Sequence, residues 1–190
     1  MNRKDLEHVI KAAAEIVEDE IVVVGSQSVL GTFPNAPQSL LRSQEADVFP
    51  RSKPERADVI DGAIGDGSPF HAEYGYYAHG VGPESVHAPA GWLGRLVRLE
   101  VPPFRKNDPP VIGWALEVHD IVLAKLVAGR PHDMEFVTES VHAELVDVGR
   151  LRRGLDLMTP DDRELAEARL NGLLGHDEQQ QGQTPFGVRP

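Results

Sequence analysis

The chain contains no cysteine. This absence excludes disulfide bonds, zinc sites built from thiolates, and enzymes that use a cysteine nucleophile. No apolar run approaches the roughly 20 residues that a membrane-spanning helix needs, so we expect no transmembrane segment and no membrane partner. The N-terminal 20 residues form an amphipathic helical pattern with acids throughout. A secretory signal peptide does not have this pattern, and we therefore expect a cytoplasmic protein.

Basic residues are also scarce. The chain has 19 lysines and arginines against 30 aspartates and glutamates, which gives a net charge of −11 at pH 7. Non-specific binding to a nucleic-acid backbone normally requires a basic surface, so this balance argues against it. RNA stays open as a substrate, because a few arginines can still cluster locally.

The chain of 190 residues is 41% hydrophobic, which is enough for one domain with a sizeable core. Hydrophobic periodicity predicts helices and strands along most of its length. The predicted helices span residues 3–18, 26–30, 53–64, 120–128, 132–146, 147–157 and 160–174, and the predicted strands span 21–24, 46–49, 96–101 and 111–118. We predict a turn between the last two strands, and mostly loop over 65–92 with one short strand at 85–88.

This order of elements predicts an α/β (α+β) fold, in which a mixed sheet is flanked by helices and followed by a helical C-terminal part. We divide the chain into a domain at residues 1–140, a helical extension packed on it at 141–175, and a disordered tail at 176–190. The tail is polar and repetitive, which is typical of disorder.

Gly25 and Ser26 follow a buried strand and open a short helix, for which we predict Ser26 as the N-cap. Glycine lets a phosphate approach the backbone closely, and the free N–H groups of a first helical turn favour an anion. The pair therefore predicts a phosphate-binding turn. The alternative is an ordinary turn after a strand, which uses the same residue types.

Glu45 and Asp47 lie two residues apart on the next predicted strand. Side chains at this spacing point to the same face of a strand, so both carboxylates can bind one divalent cation. Such a cation neutralises charge in phosphoryl transfer. The alternative is an edge strand that exposes two acids to water.

The segment at residues 119–137 supplies a third group of polar side chains. Lys125 lies in the middle of a helix among apolar neighbours, which indicates that its ammonium opens into a cleft. Lys125 and Arg130 can bind nucleotide phosphates, and Asp133 can orient Lys125 or a substrate hydroxyl. The alternative is a helix pair with a surface contact between Arg130 and Asp133, which would contribute little to stability.

Together these segments resemble the signature of the polymerase-beta-like minimal nucleotidyltransferase superfamily, in which Gly-Ser is followed by paired acids on a strand. The pattern K-L-x-A-x-R-x-x-D from Lys125 to Asp133 is similar to the bacterial branch that includes AbiE-type toxin nucleotidyltransferases. The resemblance covers residues 20–140. Glu45 stands where the superfamily usually has aspartate, and Glu100 is our candidate for the third acid that its polymerases carry on a later strand.

The resemblance implies an enzyme that transfers a nucleotidyl group from an NTP to a hydroxyl acceptor with the help of Mg²⁺ or Mn²⁺. The acceptor would be an RNA end, a protein hydroxyl or a small molecule, and a toxin-like enzyme would have an antitoxin protein as its partner. The implied roles are catalytic for Asp47, Lys125 and Asp133, nucleotide-binding for Gly25, Ser26 and Arg130, and metal-binding for Glu45 and Asp47.

The alternative is a catalytically inactive module of the same fold that binds a nucleotide or a partner protein. An active site of the kind described requires Ser26, Glu45, Asp47 and Lys125 to converge on one cleft.

Overall fold

The computed structural model describes residues 1–103 and 109–181, and a five-stranded mixed sheet lies at its centre. The strands are β1 (Ile21–Val24), β2 (Glu45–Pro50), β3 (Tyr77–Gly80), β4 (Val97–Val101) and β5 (Val111–Ala115), in the order β3-β2-β1-β5-β4. β1 runs antiparallel to β2 and parallel to β5, whereas β2 runs parallel to β3 and β4 runs antiparallel to β5.

Eight α-helices lie in the described part of the chain. They are α1 (Arg3–Val17), α2 (Val29–Thr32), α3 (Ala57–Ile64), α4 (Pro69–Tyr74), α5 (Val118–Ala128), α6 (Pro131–His142), α7 (Val148–Leu155) and α8 (Pro160–Gln181). The predicted α+β fold, with a mixed sheet flanked by helices, is thus confirmed. Among these helices none combines the length and the apolar character needed to cross a membrane.

The first helix packs on the sheet because of its sequence pattern. Asn2 and Asp5 form a capping box at its start, which satisfies two of the free N–H groups there. One stripe of the helix is buried, namely Leu6, Val9, Ile10, Ala13 and Val17. A Cβ atom on Gly113 of β5 would lie 3.0 Å from Cδ1 of Ile10, so this glycine allows α1 to approach the sheet closely.

The C-terminal helices share a core with α5. Six apolar residues of α5 are buried, namely Val118, Ile121, Val122, Leu123, Leu126 and Val127. Leu151 and Leu155 of α7 and Leu170 of α8 are buried in the same core. The helices of the predicted extension therefore hold in place the helix that carries Lys125.

Residues 65–92 differ from the sequence expectation. Both α4 and β3 lie in this predicted loop, whereas the strand predicted at 85–88 is wrong: a 3₁₀ turn ends at Ser85 and residues 86–88 have no regular structure. Within β3 only Ala78 is fully buried. No apolar alternation therefore marks this strand in the sequence, and its pairing with β2 defines it.

Some element ends also differ. β5 ends at Ala115 and not at Val118, because Glu117 is the N-cap of α5. The N-cap of the short 3₁₀ helix Ser26–Ser28 is Gly25, so the prediction of Ser26 as N-cap is wrong.

At the C-terminus α8 runs to Gln181 and not to residue 174, so the first part of the predicted disordered tail has a helical backbone. The rest of that tail, 182–190, and most of the predicted turn between β4 and β5, 104–108, lie outside the described residues.

Candidate active site

Gly25 and Asp47 come close together where the central strand β1 ends beside β2. The register of β1 on β2 pairs Val24 with Asp47, so the next residue, Gly25, lies beside the Asp47 carboxylate. Gly25 has a φ of +66° and a ψ of −162°, a conformation that essentially only glycine adopts. A Cβ atom here would also collide with Oδ2 of Asp47. Glycine is therefore required at this position for two separate reasons.

Glu45, Asp47 and His79 form a compact cluster on neighbouring strands. The parallel register of β2 and β3 pairs Asp47 with His79 and Glu45 with Tyr77. Nδ1 of His79 lies 3.0 Å from Oδ1 of Asp47 and 3.6 Å from Oε1 of Glu45. One ligand atom from each member of the cluster lies within 4.8 Å of the others, a geometry that suits one metal ion. The Tyr77 hydroxyl donates a hydrogen bond of 2.9 Å to Oε2 of Glu45.

The electrostatics of this cluster favour a cation between the carboxylates. Burial raises the pKa of Asp47 and so does the charge of Glu45, while the hydrogen bond with His79 only partly opposes them. Burial by itself lowers the pKa of His79, but the hydrogen bond with Asp47 and the charge of Glu45 outweigh it and raise that pKa. The hydrogen bond to Glu45 raises the pKa of Tyr77 to about 12.

His79 is a site residue that the sequence pattern did not reveal. No metal-ligand spacing in the sequence points to it, and only the pairing of β3 with β2 brings it to Asp47. Glu100, the candidate third acid, is wrongly assigned. It lies on edge strand β4, which β1 and β5 separate from β2. Its side chain is exposed and pairs with Arg98.

Lys125 and Asp133 form a largely buried ion pair across the junction of α5 and α6. Nζ of Lys125 lies 2.8 Å from Oδ1 of Asp133, and the two side chains are 13% and 5% exposed. Nζ also lies 4.8 Å from the centre of the Phe136 ring. Nε of Arg130 is 3.3 Å from Oδ2 of Asp133. The alternative interpretation, a simple surface contact between Arg130 and Asp133, is therefore wrong, because the Asp133 side chain is buried.

Four of the predicted site residues line one cavity of about 260 Å³, namely Gly25, Asp47, Lys125 and Arg130. Much of the remaining wall is apolar and includes Val24, Val81, Val86, Leu116, Ile121 and Ala124. Lys125 also lines a neighbouring cavity of about 330 Å³, into which Ser26 faces together with Ser39, Arg42, Ser43 and His132. Ser26 and Asp47 thus line two different cavities that share Lys125, while Glu45 is next to the first cavity through its place in the cluster with Asp47 and His79.

These observations place Gly25, Asp47, Lys125 and Arg130 around one cavity and Ser26 in a second cavity that shares Lys125. Glu45 and His79 lie beside Asp47 and line neither cavity, so the four residues expected to converge do not share a single cleft. Such an arrangement can bind a phosphorylated ligand, with the cations and the glycine turn facing its negative charge. The catalytic, nucleotide-binding and metal-binding roles of the individual residues stay predictions.

Comparison with known proteins gives a family. No curated protein and no solved structure matches the chain. A family model described as "Nucleotidyltransferase of unknown function (DUF6036)" matches residues 4–171. The match spans the sheet, the cavities and every residue of the cluster. The chain therefore belongs to this nucleotidyltransferase family.

Proposed function

We propose that the protein transfers a nucleotidyl group from an NTP to a hydroxyl acceptor with the assistance of a divalent metal ion. One observation carries the proposal: Gly25, Asp47, Lys125 and Arg130, from three separate segments of the chain, line a single cavity. Membership of a nucleotidyltransferase family supports the reaction class.

The residues present fit a metal ion of the kind this chemistry uses. Glu45 and Asp47 offer carboxylate oxygens and His79 offers an imidazole nitrogen, and these ligand atoms lie within 4.8 Å of one another. Mg²⁺ and Mn²⁺ are the candidates. When bound, such an ion neutralises charge on the phosphates of the nucleotide.

The two cationic side chains would bind the phosphate charge that the metal ion does not neutralise. Lys125 projects into both cavities and is held by Asp133 and the Phe136 ring, so its ammonium has a fixed position. Arg130 is exposed at the rim, where its planar fork suits a phosphate. Gly25 lets a phosphate approach the backbone, and Ser26 adds a hydroxyl donor.

The proposed reaction is an in-line displacement at the α-phosphorus. The acceptor oxygen forms a new bond to phosphorus while the bond to the bridging α–β oxygen breaks. Pyrophosphate leaves, and the acceptor proton is released to water. Lys125 binds the phosphates directly, whereas Asp47 would act on them through the metal ion that it would hold, and the apolar wall limits the access of competing water.

Similarity to AbiE-type toxin nucleotidyltransferases extends the proposal to a toxin-like enzyme, with an antitoxin protein as partner. The acceptor is then an RNA end, a protein hydroxyl or a small molecule. The net charge of −11 makes a long stretch of nucleic acid the least suitable of these.

A second candidate function is a catalytically inactive module that binds a nucleotide or a partner protein. The position of His79 favours it, since Nδ1 lies between the two carboxylates and can offset their charge without a metal ion.

Binding and turnover separate the two functions. Each NTP is titrated into the protein by calorimetry with and without Mg²⁺ or Mn²⁺, and pyrophosphate release is then measured with RNA, protein and small-molecule acceptors. An enzyme requires metal-dependent binding that is lost in Asp47→Ala and kept in Asp58→Ala, which removes an exposed acid of α3. Metal-independent binding with no turnover on any acceptor supports the inactive module.

A further inference from the structure

We infer that Glu45, Asp47 and His79 form a metal site that binds Mn²⁺ in preference to Mg²⁺, because an imidazole nitrogen is one of its three ligands. The inference rests on the proposed function and specifies the cofactor of that site.

The ligand set follows from the strand register. Asp47 and His79 are direct neighbours in the parallel pair of β2 and β3, so the histidine comes to the aspartate through backbone pairing and not through a flexible loop. On the same strands Tyr77 is the neighbour of Glu45, and its hydroxyl binds Oε2. Oε1 of Glu45 is the oxygen that lies near His79, at 3.6 Å from Nδ1.

An ion can reach these atoms from solvent. The side chains of Glu45, Asp47 and His79 are 36%, 28% and 49% exposed. Asp47 also lines the cavity that Gly25 and Lys125 border. An ion held by the cluster therefore lies beside the space in which we propose that the nucleotide binds.

The donor atoms decide which ion is favoured. Mg²⁺ takes oxygen ligands almost exclusively and holds its own water tightly. Mn²⁺ accepts the same carboxylates, and as a first-row transition ion it also gains from an imidazole nitrogen. A set of two carboxylates and one imidazole therefore discriminates against Mg²⁺, whereas an all-carboxylate set would not.

The chain offers a close test of this argument. The Nδ1 atom of histidine and the Oδ atoms of aspartate are each two bonds from Cβ, so His79→Asp replaces the nitrogen by oxygen at the same reach. His79→Asn has the same reach without a charge, and it replaces His79→Asp if the extra acid prevents folding. Far-ultraviolet circular dichroism and thermal unfolding establish that each variant is folded.

The experiment titrates Mn²⁺ into the full chain without nucleotide and follows the electron paramagnetic resonance signal of the free ion, with Mg²⁺ as competitor. For the unmodified protein we expect one site that binds Mn²⁺ at least about tenfold more tightly than Mg²⁺. We expect His79→Ala to lower the Mn²⁺ affinity by about tenfold or more. Removal of a residue that only hydrogen-bonds to a metal ligand already costs roughly tenfold, and loss of a ligand should cost at least as much. His79→Asp reduces the preference for Mn²⁺ by about tenfold.

His87→Ala is the matched control. His87 lines the same cavity and lies 3.3 Å from a single carboxylate, that of Asp162. Its replacement leaves Mn²⁺ binding unchanged if the cluster is the site.

Two results overturn the inference in different ways. Equal affinity for Mn²⁺ and Mg²⁺, or a preference that His79→Asp does not change, contradicts the role of His79 and leaves the proposed function intact. Failure of both ions to bind contradicts the inference by itself, and turnover that needs no metal contradicts the metal-assisted reaction as well.

Discussion

Lys125 and Asp133 face each other across the turn between α5 and α6, with Nζ 2.8 Å from Oδ1. Gly129 adopts a φ of +64° and ends α5, and α6 begins two residues later at Pro131. The sharp turn folds the two helices together, so residues eight positions apart form an ion pair beside the cavities that Lys125 lines. The pair is part of the local structure and of the proposed nucleotide site at once.

Asp133→Asn tests how much the buried ion pair between Lys125 and Asp133 contributes to stability. The variant keeps the shape of the side chain and leaves the Lys125 ammonium without its buried counter-charge. We expect the free energy of unfolding to fall by about 3 kcal/mol, as measured by urea denaturation. Glu135→Gln is the control on the same helix, because its ion pair with Arg42 is exposed at both ends and should change stability by less than about 0.5 kcal/mol. Equal effects of the two variants would contradict the prediction.

Lys125→Met tests the proposed role of Lys125 in binding phosphate. Methionine keeps most of the aliphatic length but removes the charge, and with it the contact of Nζ with the Phe136 ring. We expect the affinity for an NTP to fall by about tenfold or more, since a charged hydrogen bond is lost, while the affinity for the matching nucleoside stays the same. Calorimetry with both ligands measures the difference. Lys53→Met, at an exposed position, should change neither value, and an equal loss for nucleoside and NTP would argue against contact with phosphate.

Gly25→Ala tests the close approach of β1 to Asp47. The strained backbone costs about 1–3 kcal/mol for a residue with a Cβ, and the collision with Asp47 adds to it. We expect lower stability in thermal unfolding and displacement of the Asp47 carboxylate, with loss of divalent-ion binding. Gly62→Ala in α3 is the control, since a Cβ there meets nothing within 4 Å. A helical alanine should raise stability by up to about 1 kcal/mol. A neutral effect of Gly25→Ala would be evidence against the described geometry.

Glu117 should make stability depend on pH. Burial alone raises the pKa of its carboxyl, but hydrogen bonds from the His119 side chain and backbone, with the charge of Arg150, lower that pKa below 4.5. A depressed folded-state pKa contributes stability that is fully present above the unfolded value near 4.5. This contribution is lost as the pH falls through the lower folded-state value.

Glu117→Gln should therefore lower the free energy of unfolding at pH 7 and flatten its decline below pH 4.5. Urea denaturation from pH 7 down to pH 3 measures both effects. Glu73→Gln, at an exposed position, should leave the curve parallel to that of the unmodified protein. A Glu117→Gln curve that falls as steeply in acid as the unmodified one would contradict the prediction.

The strongest local patterns predicted the right elements. The period of apolar residues in α1, the run Ile21–Val24 and the spacing of Glu45 and Asp47 are local properties, and the structure has the expected helix, strand and paired acids there. Residues 65–92 have no such pattern, and both α4 and β3 were missed. Strand β3 owes its existence to hydrogen bonds with β2, which sequence periodicity does not record.

The sequence by itself determined the glycine turn, the paired carboxylates and the Lys125–Asp133 segment, because each depends on neighbours within a few residues along the chain. Only the tertiary structure decided that His79, and not Glu100, is the third member of the carboxylate cluster. It also decided that Ser26 and Asp47 line separate cavities that share Lys125. The physical reason is strand order: β3 pairs with β2, while β4 lies at the far edge of the sheet. Which strand lies beside β2 depends on hydrogen bonds and core contacts between segments that are distant in the sequence.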